Sequence, residues 1–360
     1  MCFLPTRQAM NTCILSKRWR NLWRYLPCLH FDAYHDDNFV QFITSFFNLR
    51  SNCHIDTFQL HGLAMNHCWL ATRPLVTRVL ESRPRVLSIK SGESSWCQLD
   101  FDSVFTCASV EKMELVEVFF PRKSPITLFN LKRLNLTRTD LDGECVNNLI
   151  SGCPVLEELV MNYCSFWFSN VTIVSHSLKN LSIDDCDYYD NVQIHLSVPS
   201  LVSLHVTQVM LGRIWLKNMS SLVKVHIQFC FSVCINYLNS RNELLRGLSN
   251  ATYIELTGPG VRLSTESPVK DLLVKELPTC RAFANLKSLY LGKCSMCGFL
   301  SPISQLFRIS PNLKAIKFGG EDEMMFSGTD AFISSNSGNA VFLVGSMPVT
   351  IPFAQVFLCC

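Results

Sequence analysis

The sequence predicts an α/β solenoid of short parallel strands, and the prediction depends on one recurring motif. Leu-x-x-Leu-x-Leu returns at intervals in the low-to-mid twenties along much of the chain. The clear copies begin at Leu131, Leu156, Leu178, Leu201, Leu222, Leu286 and Leu313, and looser copies begin at Ile55, Pro84, Val110 and Ala251. Such a period is typical of leucine-rich repeats, in which each repeat supplies one strand and stacking of neighbours buries the apolar faces.

The ninth position of the repeat supports the same fold independently of the leucines. Asn or Cys is expected at this position, and four of the clear copies have cysteine there, at Cys164, Cys186, Cys230 and Cys294. A small side chain with a weak donor suits a buried turn beside the neighbouring coil. We therefore expect these four thiols to be buried.

Residues 1–31 are a separate basic, aromatic-rich segment that is predicted to be helical. Thr6 is a predicted helix cap, apolar residues follow at helical spacing, and Pro27 ends the segment. Trp19 and Trp23 are four residues apart, so we expect them on one helical face, with core packing as the larger role of Trp19.

The next elements follow in chain order. Residues 32–54 are predicted to be a linker with an amphipathic helix over Phe39–Leu49, and residues 55–325 are predicted to be the repeats. Within one repeat, Asp142 is the predicted cap of a short helix and Gly152 its predicted end.

The last part of the chain, 326–360, loses the repeat pattern and is predicted to be an uncharged tail with little order. Charged residues are absent from Ala331 onward, and Ala340–Leu358 is long and apolar enough to suggest a membrane anchor. Pro348 and Pro352 interrupt that stretch, so a poorly packed tail is the favoured interpretation.

Composition limits the compartment and the chemistry. A net charge of +3 over 360 residues does not predict nucleic acid or a membrane as the partner. The 18 cysteines have irregular spacing and follow no signal peptide, which predicts reduced thiols in the cytoplasm or the nucleus. Cys294-x-x-Cys297 has half of a zinc-site spacing but no second pair, so no metal is predicted. No phosphate loop or nucleophile elbow is recognisable, so neither a cofactor nor a catalytic residue is predicted.

The first segment resembles the second half of a plant-type F-box. The run FLPTRQAMNTCILSKRWRNLWRYLPCLHFD has a Leu-Pro-Thr turn, a helix ending Leu-Ser-Lys-Arg-Trp-Arg, a Leu-Trp helix and Leu-x-Phe-Asp, in that order. Together with the repeats, it is similar to the plant F-box/leucine-rich-repeat family over residues 1 to about 320. The F-box of that family opens with one further helix, so the resemblance is to an N-terminally incomplete F-box.

This resemblance implies a function and a set of contact residues. In the family, the F-box docks on a Skp-type adaptor of a cullin ubiquitin ligase, and the repeats hold the protein to be ubiquitinated. The implied adaptor contacts are Leu4, Pro5, Ile14, Leu15, Lys17, Arg18, Trp19, Leu22 and Trp23. The implied role is a non-catalytic substrate receptor. The alternative is a repeat interaction protein, or a truncated gene product, that does not bind the adaptor.

Alternation along each strand predicts which repeat residues meet a protein ligand. Positions 4 and 6 of each copy point inward, so positions 3, 5 and 7 face the concave surface. The predicted target-binding residues are Arg133, Glu158, Asp184, His205, His226, Tyr253, Glu255 and Tyr290. His205 and His226 share a column on successive strands and are expected about 5 Å apart. Mixed charge with aromatic rings suits a protein ligand better than a phosphate.

Overall fold

The structure is a computed structural model of the chain in two compact units, which we call the N-terminal unit (Met1–Phe168) and the C-terminal unit (Ser169–Cys360). The residues that it describes are 4–34, 38–51, 53–63, 68–92, 97–98, 102–119, 125–167, 170–189, 192–233, 244–259, 268–280, 282–292, 300–319, 330–336, 339–344 and 347–352.

The N-terminal unit alternates strands with helices. Its helices are α1 (Thr6–Asn11), α2 (Phe39–Leu49), α3 (Cys68–Glu81), α4 (Asp102–Phe105) and α5 (Gly143–Gly152), with 3₁₀-helices at Thr12–Ile14 and Leu22–Tyr25. Its strands are β1 (Cys28–Asp32), β2 (Thr57–Leu63), β3 (Val86–Ser91), β4 (Cys97–Gln98), β5 (Lys112–Val116), β6 (Val118–Phe119), β7 (Arg133–Thr137), β8 (Asp140–Asp142), β9 (Glu158–Asn162) and β10 (Ser165–Trp167).

Strands β1, β2, β3, β5, β7 and β9 pair in parallel, one repeat after another. Two buried apolar rows cross these strands in register. The two rows are two residues apart on each strand, so they lie on the same face of the sheet. The rows are Leu29, Phe58, Leu87, Met113, Leu134 and Leu159, and Phe31, Leu60, Ile89, Leu115, Leu136 and Met161. The predicted alternation is therefore present in the looser copies as well as in the clear ones.

The C-terminal unit contains further parallel strands and three helices among its described residues. Its strands are β11 (Val171–Val174), β12 (Asn180–Asp184), β13 (Asp187–Tyr188), β14 (Ile194–Ser197), β15 (Ser203–Leu211), β16 (Ile214–Lys217), β17 (Lys224–Val233), β18 (Tyr253–Thr257), β19 (Ser288–Gly292), β20 (Ala315–Gly319), β21 (Asp330–Asn336), β22 (Asn339–Val344) and β23 (Met347–Pro352). Its helices are α6 (Leu244–Gly247), α7 (Pro268–Glu276) and α8 (Leu300–Ile309), with a 3₁₀-helix at Leu277–Thr279.

Strands β12, β15, β17, β18, β19 and β20 pair in parallel, as expected for repeats. The row formed by Leu181, Leu204, Val225, Ile254, Leu289 and Ile316 is buried throughout. A second parallel sheet, formed by β11, β14 and β16, pairs Val171 with Ile194 and Ile194 with Ile214. Stacked parallel strands of this kind fit the predicted leucine-rich-repeat fold.

A left-handed residue turns the chain out of the strand in several repeats. Counted from the first apolar residue, the eighth position has positive φ at Glu117, Arg138, Tyr163, Asp185 and Gln208. This turn points the ninth residue back inward. Cys164 and Cys186 are accordingly buried, and the Cys164 Sγ lies 3.6 Å from the Leu136 carbonyl oxygen of the preceding coil.

The expected burial of Cys230 is wrong. In its repeat, β17 continues to Val233, and Phe229 at the eighth position is a fully buried strand residue. Because alternation continues through Phe229, Cys230 points to the opposite face and is only half-buried. Cys294 and Cys297 lie outside the described residues.

In three repeats, the polar side chain immediately before the first leucine donates a hydrogen bond to a backbone carbonyl group of the preceding coil. Asn130 donates from Nδ2 to the Ala108 carbonyl oxygen at 2.7 Å, and Asn312 donates to Ala284 at 2.7 Å. Ser200 donates from Oγ to the Leu178 carbonyl oxygen at 2.8 Å. These bonds satisfy carbonyl groups that a turn leaves without a strand partner, so they stabilise the stacking of repeats.

The helix of one repeat forms as its sequence predicts. The Asp142 carboxylate accepts a hydrogen bond from the Cys145 backbone N–H at 2.7 Å, and α5 ends at Gly152. A Cβ on Gly152 would collide with the Ile126 carbonyl group, so this position requires glycine for close packing. Helix α2 occupies the range that the apolar periodicity predicts.

Two other expectations differ from the structure. The first segment is not helical up to residue 31, because Cys28–Asp32 is already the first strand and pairs with β2. Part of the range that was predicted to have little order forms strands: β21 pairs antiparallel with β20, β22 with β21, and β23 with β22. The apolar and β-branched residues of β22 and β23 favour extended strands.

Candidate binding surfaces

The segment before the first strand exposes apolar side chains to solvent, and we call it the N-terminal segment (residues 4–27). Ile14 is 84% exposed and Leu15 is 73% exposed, although both are large hydrophobic residues. The further exposed members are Leu4, Trp19, Leu22 and Tyr25. Five of these six were predicted adaptor contacts, and Tyr25 was missed. Several exposed large apolar side chains within one short segment are typical of an interaction site.

The two tryptophans of the N-terminal segment have the opposite roles to those expected. Trp23 is 6% exposed, its ring lies 5.3 Å from the Phe46 ring, and its Nε1 donates to the Arg20 carbonyl oxygen at 3.1 Å. Trp19 is 39% exposed. The expected single helical face is absent because the first 3₁₀-helix ends at Ile14, residues 17–21 form turns, and the next 3₁₀-helix begins only at Leu22. Trp23 therefore belongs to the core rather than to the predicted contact set.

The remaining members of the predicted contact set are Pro5, Lys17 and Arg18. Lys17 and Arg18 are exposed, and Pro5 is half-buried. Thr6 is fully buried, and its Oγ1 accepts a hydrogen bond from the His30 backbone N–H at 2.8 Å. This bond attaches helix α1 to the first strand, so the segment is held against the repeats rather than capped by Thr6 as predicted.

The polar strand face of the C-terminal unit carries a row of side chains in direct register. His205 pairs with His226, His226 with Glu255, Glu255 with Tyr290, and Tyr290 with Lys317. The two imidazole rings are stacked, with centroids 4.5 Å apart and an interplanar angle of 14°. This arrangement confirms the column and the spacing that strand alternation predicts for the two histidines.

Carboxylates hold this histidine pair at both ends. His205 Nε2 lies 3.4 Å from Asp184 Oδ1, and His226 Nδ1 lies 3.2 Å from Glu255 Oε2. The Tyr253 hydroxyl donates to the same Glu255 oxygen at 3.0 Å. Burial, followed by this hydrogen bond, raises the pKa of Tyr253 to about 12. Five predicted residues therefore form one connected network.

Tyr290 extends the same face because a glycine leaves room for its ring. A Cβ on Gly292 would lie 2.6 Å from Tyr290 Cε1 and 2.7 Å from Thr257 Cγ2. The absence of a side chain at residue 292 thus allows Tyr290 to lie across the strand end. The result is an aromatic surface beside the Glu255 carboxylate.

The polar strand face of the N-terminal unit contains the two remaining predicted residues and several that were missed. Arg133 Nε lies 3.2 Å from Glu158 Oε2. The missed residues are His61, Ser88, Lys90 and Glu114. Alternation applied to the looser copies beginning at Ile55, Pro84 and Val110 places all four on this face, so the signal was available.

These missed residues form a hydrogen-bonded chain. Ser88 Oγ donates to Glu114 Oε2 at 2.8 Å, Lys90 Nζ lies 3.0 Å from Glu114 Oε1, and His61 Nε2 lies 3.3 Å from Ser88 Oγ. Burial favours a higher pKa for Glu114, but the bonds from Lys90 and Ser88 hold the pKa below its ordinary value. Burial, and then the charge of Lys90, lowers the pKa of His61 to about 4.

A shallow depression opens beside this chain on the same face. Its lining includes Ser88, Lys112, Glu114, Arg133, Asn135 and Glu158. Charged and amide groups therefore surround a recess between neighbouring strands. An open recess of this kind suits a side chain of a bound molecule.

The groups on these surfaces are ones that protein interfaces commonly use. Within the described residues, no group of three or more histidine, cysteine or acidic side chains could hold a metal ion. The search for membrane-spanning helices over the same residues finds none of the required length and hydropathy. Hydrogen-bonding groups, aromatic rings and exposed apolar side chains are the elements from which protein interfaces are built.

This chain is similar in sequence to several known proteins. Residues 89–230 match the family described as FBD-associated F-box protein At5g56370, LRR repeats. An F-box/FBD/LRR-repeat protein of Arabidopsis thaliana is 28% identical over 245 residues, covering 63% of this chain and 52% of that protein. An FBD-associated F-box protein of the same plant is 25% identical over 340 residues, covering 88% of this chain and 72% of that protein.

A further relative aligns along most of its length. This F-box/LRR-repeat protein of Arabidopsis thaliana is 26% identical over 343 residues, covering 89% of this chain and 88% of the relative. The chain spans about half the length of the first relative named above. No solved structure matches the chain.

Proposed function

We propose that this chain, which is similar to plant F-box and leucine-rich-repeat proteins, is a non-catalytic substrate-recognition subunit of a Skp–cullin–F-box ubiquitin ligase. In this role the N-terminal segment binds a Skp-type adaptor, and the polar strand faces bind the protein to be ubiquitinated. We expect such a subunit to work in the cytoplasm or the nucleus.

The observation that carries the proposal is the exposure of Ile14 and Leu15. Large aliphatic side chains that are 84% and 73% exposed contribute nothing to the core of the unit that carries them. Each stabilises a complex by roughly 1.5–3 kcal/mol if a partner covers it fully. The F-box resemblance names a partner for this surface, and the Arabidopsis relatives carry the term F-box in their names.

The strand faces supply the second half of the role. Histidine, tyrosine and carboxylate side chains form the connected network in the C-terminal unit. Tyrosine is enriched at interface hot spots, and polar groups fix the orientation of a bound protein. A target protein would meet several strands at once.

The test is a titration of the full chain with a plant Skp-type adaptor, followed by calorimetry. The variant Ile14→Asp with Leu15→Asp should weaken binding at least about tenfold, because two carboxylates would have to be buried at the interface. Val274→Asp is the matched control, since Val274 is also exposed, at 53%, but lies on α7.

The thermal midpoint of each variant separates binding from folding. Both aspartate variants should unfold near the temperature of the parent chain, because exposed positions alter stability little. If the parent chain does not bind the adaptor at all, the ligase assignment fails and a repeat interaction protein becomes the better description.

A further inference from the structure

Three hydrogen-bond donors line the depression on the strand face of the N-terminal unit. Lys112 on β5 is the direct register partner of Arg133 on β7, and Asn135 lies two residues further along β7. Neighbouring strands are about 4.8 Å apart, so the Lys112 and Arg133 side chains start close together on one face. All three residues line the recess.

Each of these three side chains has at least one donor nitrogen for which no hydrogen-bond or ion-pair partner is described in the chain. Within the described part of the chain, no acidic side chain lies within ion-pair distance of Lys112. Arg133 directs Nε to Glu158, which leaves its terminal nitrogens without a described partner. Asn135 Oδ1 accepts from Thr137 Oγ1 at 3.5 Å, and the amide Nδ2 has no partner among the described side chains.

The two carboxylates that line the same depression are already occupied. Glu114 accepts from Ser88 and pairs with Lys90, and Glu158 pairs with Arg133. Lys90 is not part of the lining. The lining therefore contains two carboxylates that already have protein partners, and three donor side chains with nitrogens for which no protein partner is described. A bound anion would complete the pairing that the folded chain leaves open.

From this arrangement we infer that the depression is a subsite for an acidic side chain of the bound protein, with Lys112, Arg133 and Asn135 as its donors. A carboxylate can accept from two donors at once, and the guanidinium and ammonium groups offer them side by side. A shallow, open recess of about 240 Å³ matches a single aspartate or glutamate side chain projecting from a larger partner. The inference deepens the proposed function, since it names the chemistry of the target segment.

The experiment measures peptide binding to the full chain by fluorescence anisotropy at low salt. One labelled decapeptide carries four glutamates among glycine and serine residues, and its counterpart carries glutamine at those positions. We expect the glutamate peptide to bind at least about tenfold more tightly than the glutamine peptide. The variant Lys112→Ser should bind the glutamate peptide about tenfold more weakly than the parent chain does.

Lys224→Ser is the matched control. Lys224 occupies the same strand position in β17, but its register partners are Ser203 and Tyr253, so no arginine lies beside it. Its replacement should leave the affinity within twofold. Equal losses in the two lysine variants would show general charge attraction and overturn the subsite.

Two further measurements separate the alternatives. A peptide with phosphoserine in place of the glutamates, bound more than tenfold more tightly, would replace the carboxylate assignment by a phosphate one. Failure of the glutamate peptide to bind a chain that still binds the Skp-type adaptor removes the subsite and leaves the proposed function standing. Binding of the peptide by a chain that does not bind the adaptor removes the ligase role and leaves the subsite standing.

Discussion

Within the N-terminal unit, the N-terminal segment and the repeats treat their apolar residues in opposite ways. The row Ile89, Leu115, Leu136 and Met161 is covered completely by neighbouring coils. In the segment, Ile14 and Leu15 are mostly exposed, and Ala9, Leu26 and Trp23 are the apolar side chains that are buried, with 0%, 5% and 6% exposure. The repeats bury their apolar side chains against one another, whereas the segment leaves large apolar side chains in contact with solvent.

The physical origin of this difference lies in register. Strands β2, β3, β5 and β7 each have partners on both sides that continue the same apolar row, so stacking buries the row. The segment has one short α-helix and two 3₁₀-turns, and it is attached to β1 through Thr6 and to α2 through Trp23. Its remaining apolar surface has no repeat to cover it. A comparison of matched substitutions in the two regions tests this account.

The largest contrast is expected between the two tryptophans. Trp23→Ala removes a buried ring that packs on Phe46 and should lower the free energy of unfolding by about 3–5 kcal/mol. Trp19→Ala should cost much less, because its ring is 39% exposed. Urea denaturation followed by circular dichroism measures both. Equal losses would mean that the segment has a core of its own.

The next contrast compares leucines. Leu136→Ala leaves a cavity in a fully buried row and should cost about 2–5 kcal/mol, whereas Leu15→Ala should alter stability by less than about 0.5 kcal/mol. The same denaturation experiment applies. A cost above 1 kcal/mol for Leu15→Ala would show that the segment buries this side chain in solution.

A third contrast uses two glycines. Gly152→Ala forces a methyl group against the Ile126 carbonyl, and the Leu128 N–H bond to the Gly152 oxygen at 2.9 Å resists any shift, so we expect a cost of about 1–3 kcal/mol. Gly292→Ala meets the side chains of Tyr290 and Thr257, which can rotate, so stability should change less while target binding weakens. Thermal unfolding of the two variants measures the difference in stability, and binding of a target protein measures the effect of Gly292→Ala on the strand face. Reversed stability effects would contradict the packing described here.

The smallest effect concerns pH and one half-buried imidazole ring of the repeats. The pKa of His61 is lowered from 6.5 to about 4 in the folded chain, so the unfolded chain takes up the proton first. The stability that depends on the neutral ring is therefore complete above pH 6.5 and is lost as the pH falls toward 4. In the variant His61→Gln, the thermal midpoint should depend less on pH between pH 6.5 and pH 4. An unchanged pH profile in the variant would show that His61 is not the group responsible.

Period-two alternation predicted the strand faces well because it depends only on backbone geometry. It located the stacked pair His205 and His226, and the same rule, applied to the looser copies, would have found Glu114 and Lys90. Tertiary packing was harder to predict. Helical structure in the N-terminal segment ends at Ile14, so Trp19 lies in a turn and not on a helical face shared with Trp23. Strand β17 continues through Phe229, where the repeat pattern predicts its end, so Cys230 turns outward. Neither event has a periodic signature.

The uncharged tail illustrates a different limit. Its serine, glycine and asparagine content suggested weak packing, but the open edge of β20 provides hydrogen-bond partners for Asp330–Asn336. An edge strand is a template that sequence composition does not reveal.

The central claim is that the N-terminal segment binds the adaptor while the strand faces remain available for a target. Amide hydrogen exchange of the full chain, with and without a Skp-type adaptor, tests this claim most directly. We predict slower exchange in residues 4–25 on adding the adaptor, and unchanged exchange in Ser203–Leu211, Lys224–Val233 and Tyr253–Thr257. Slower exchange in those three strands, or unchanged exchange throughout the chain, would contradict it.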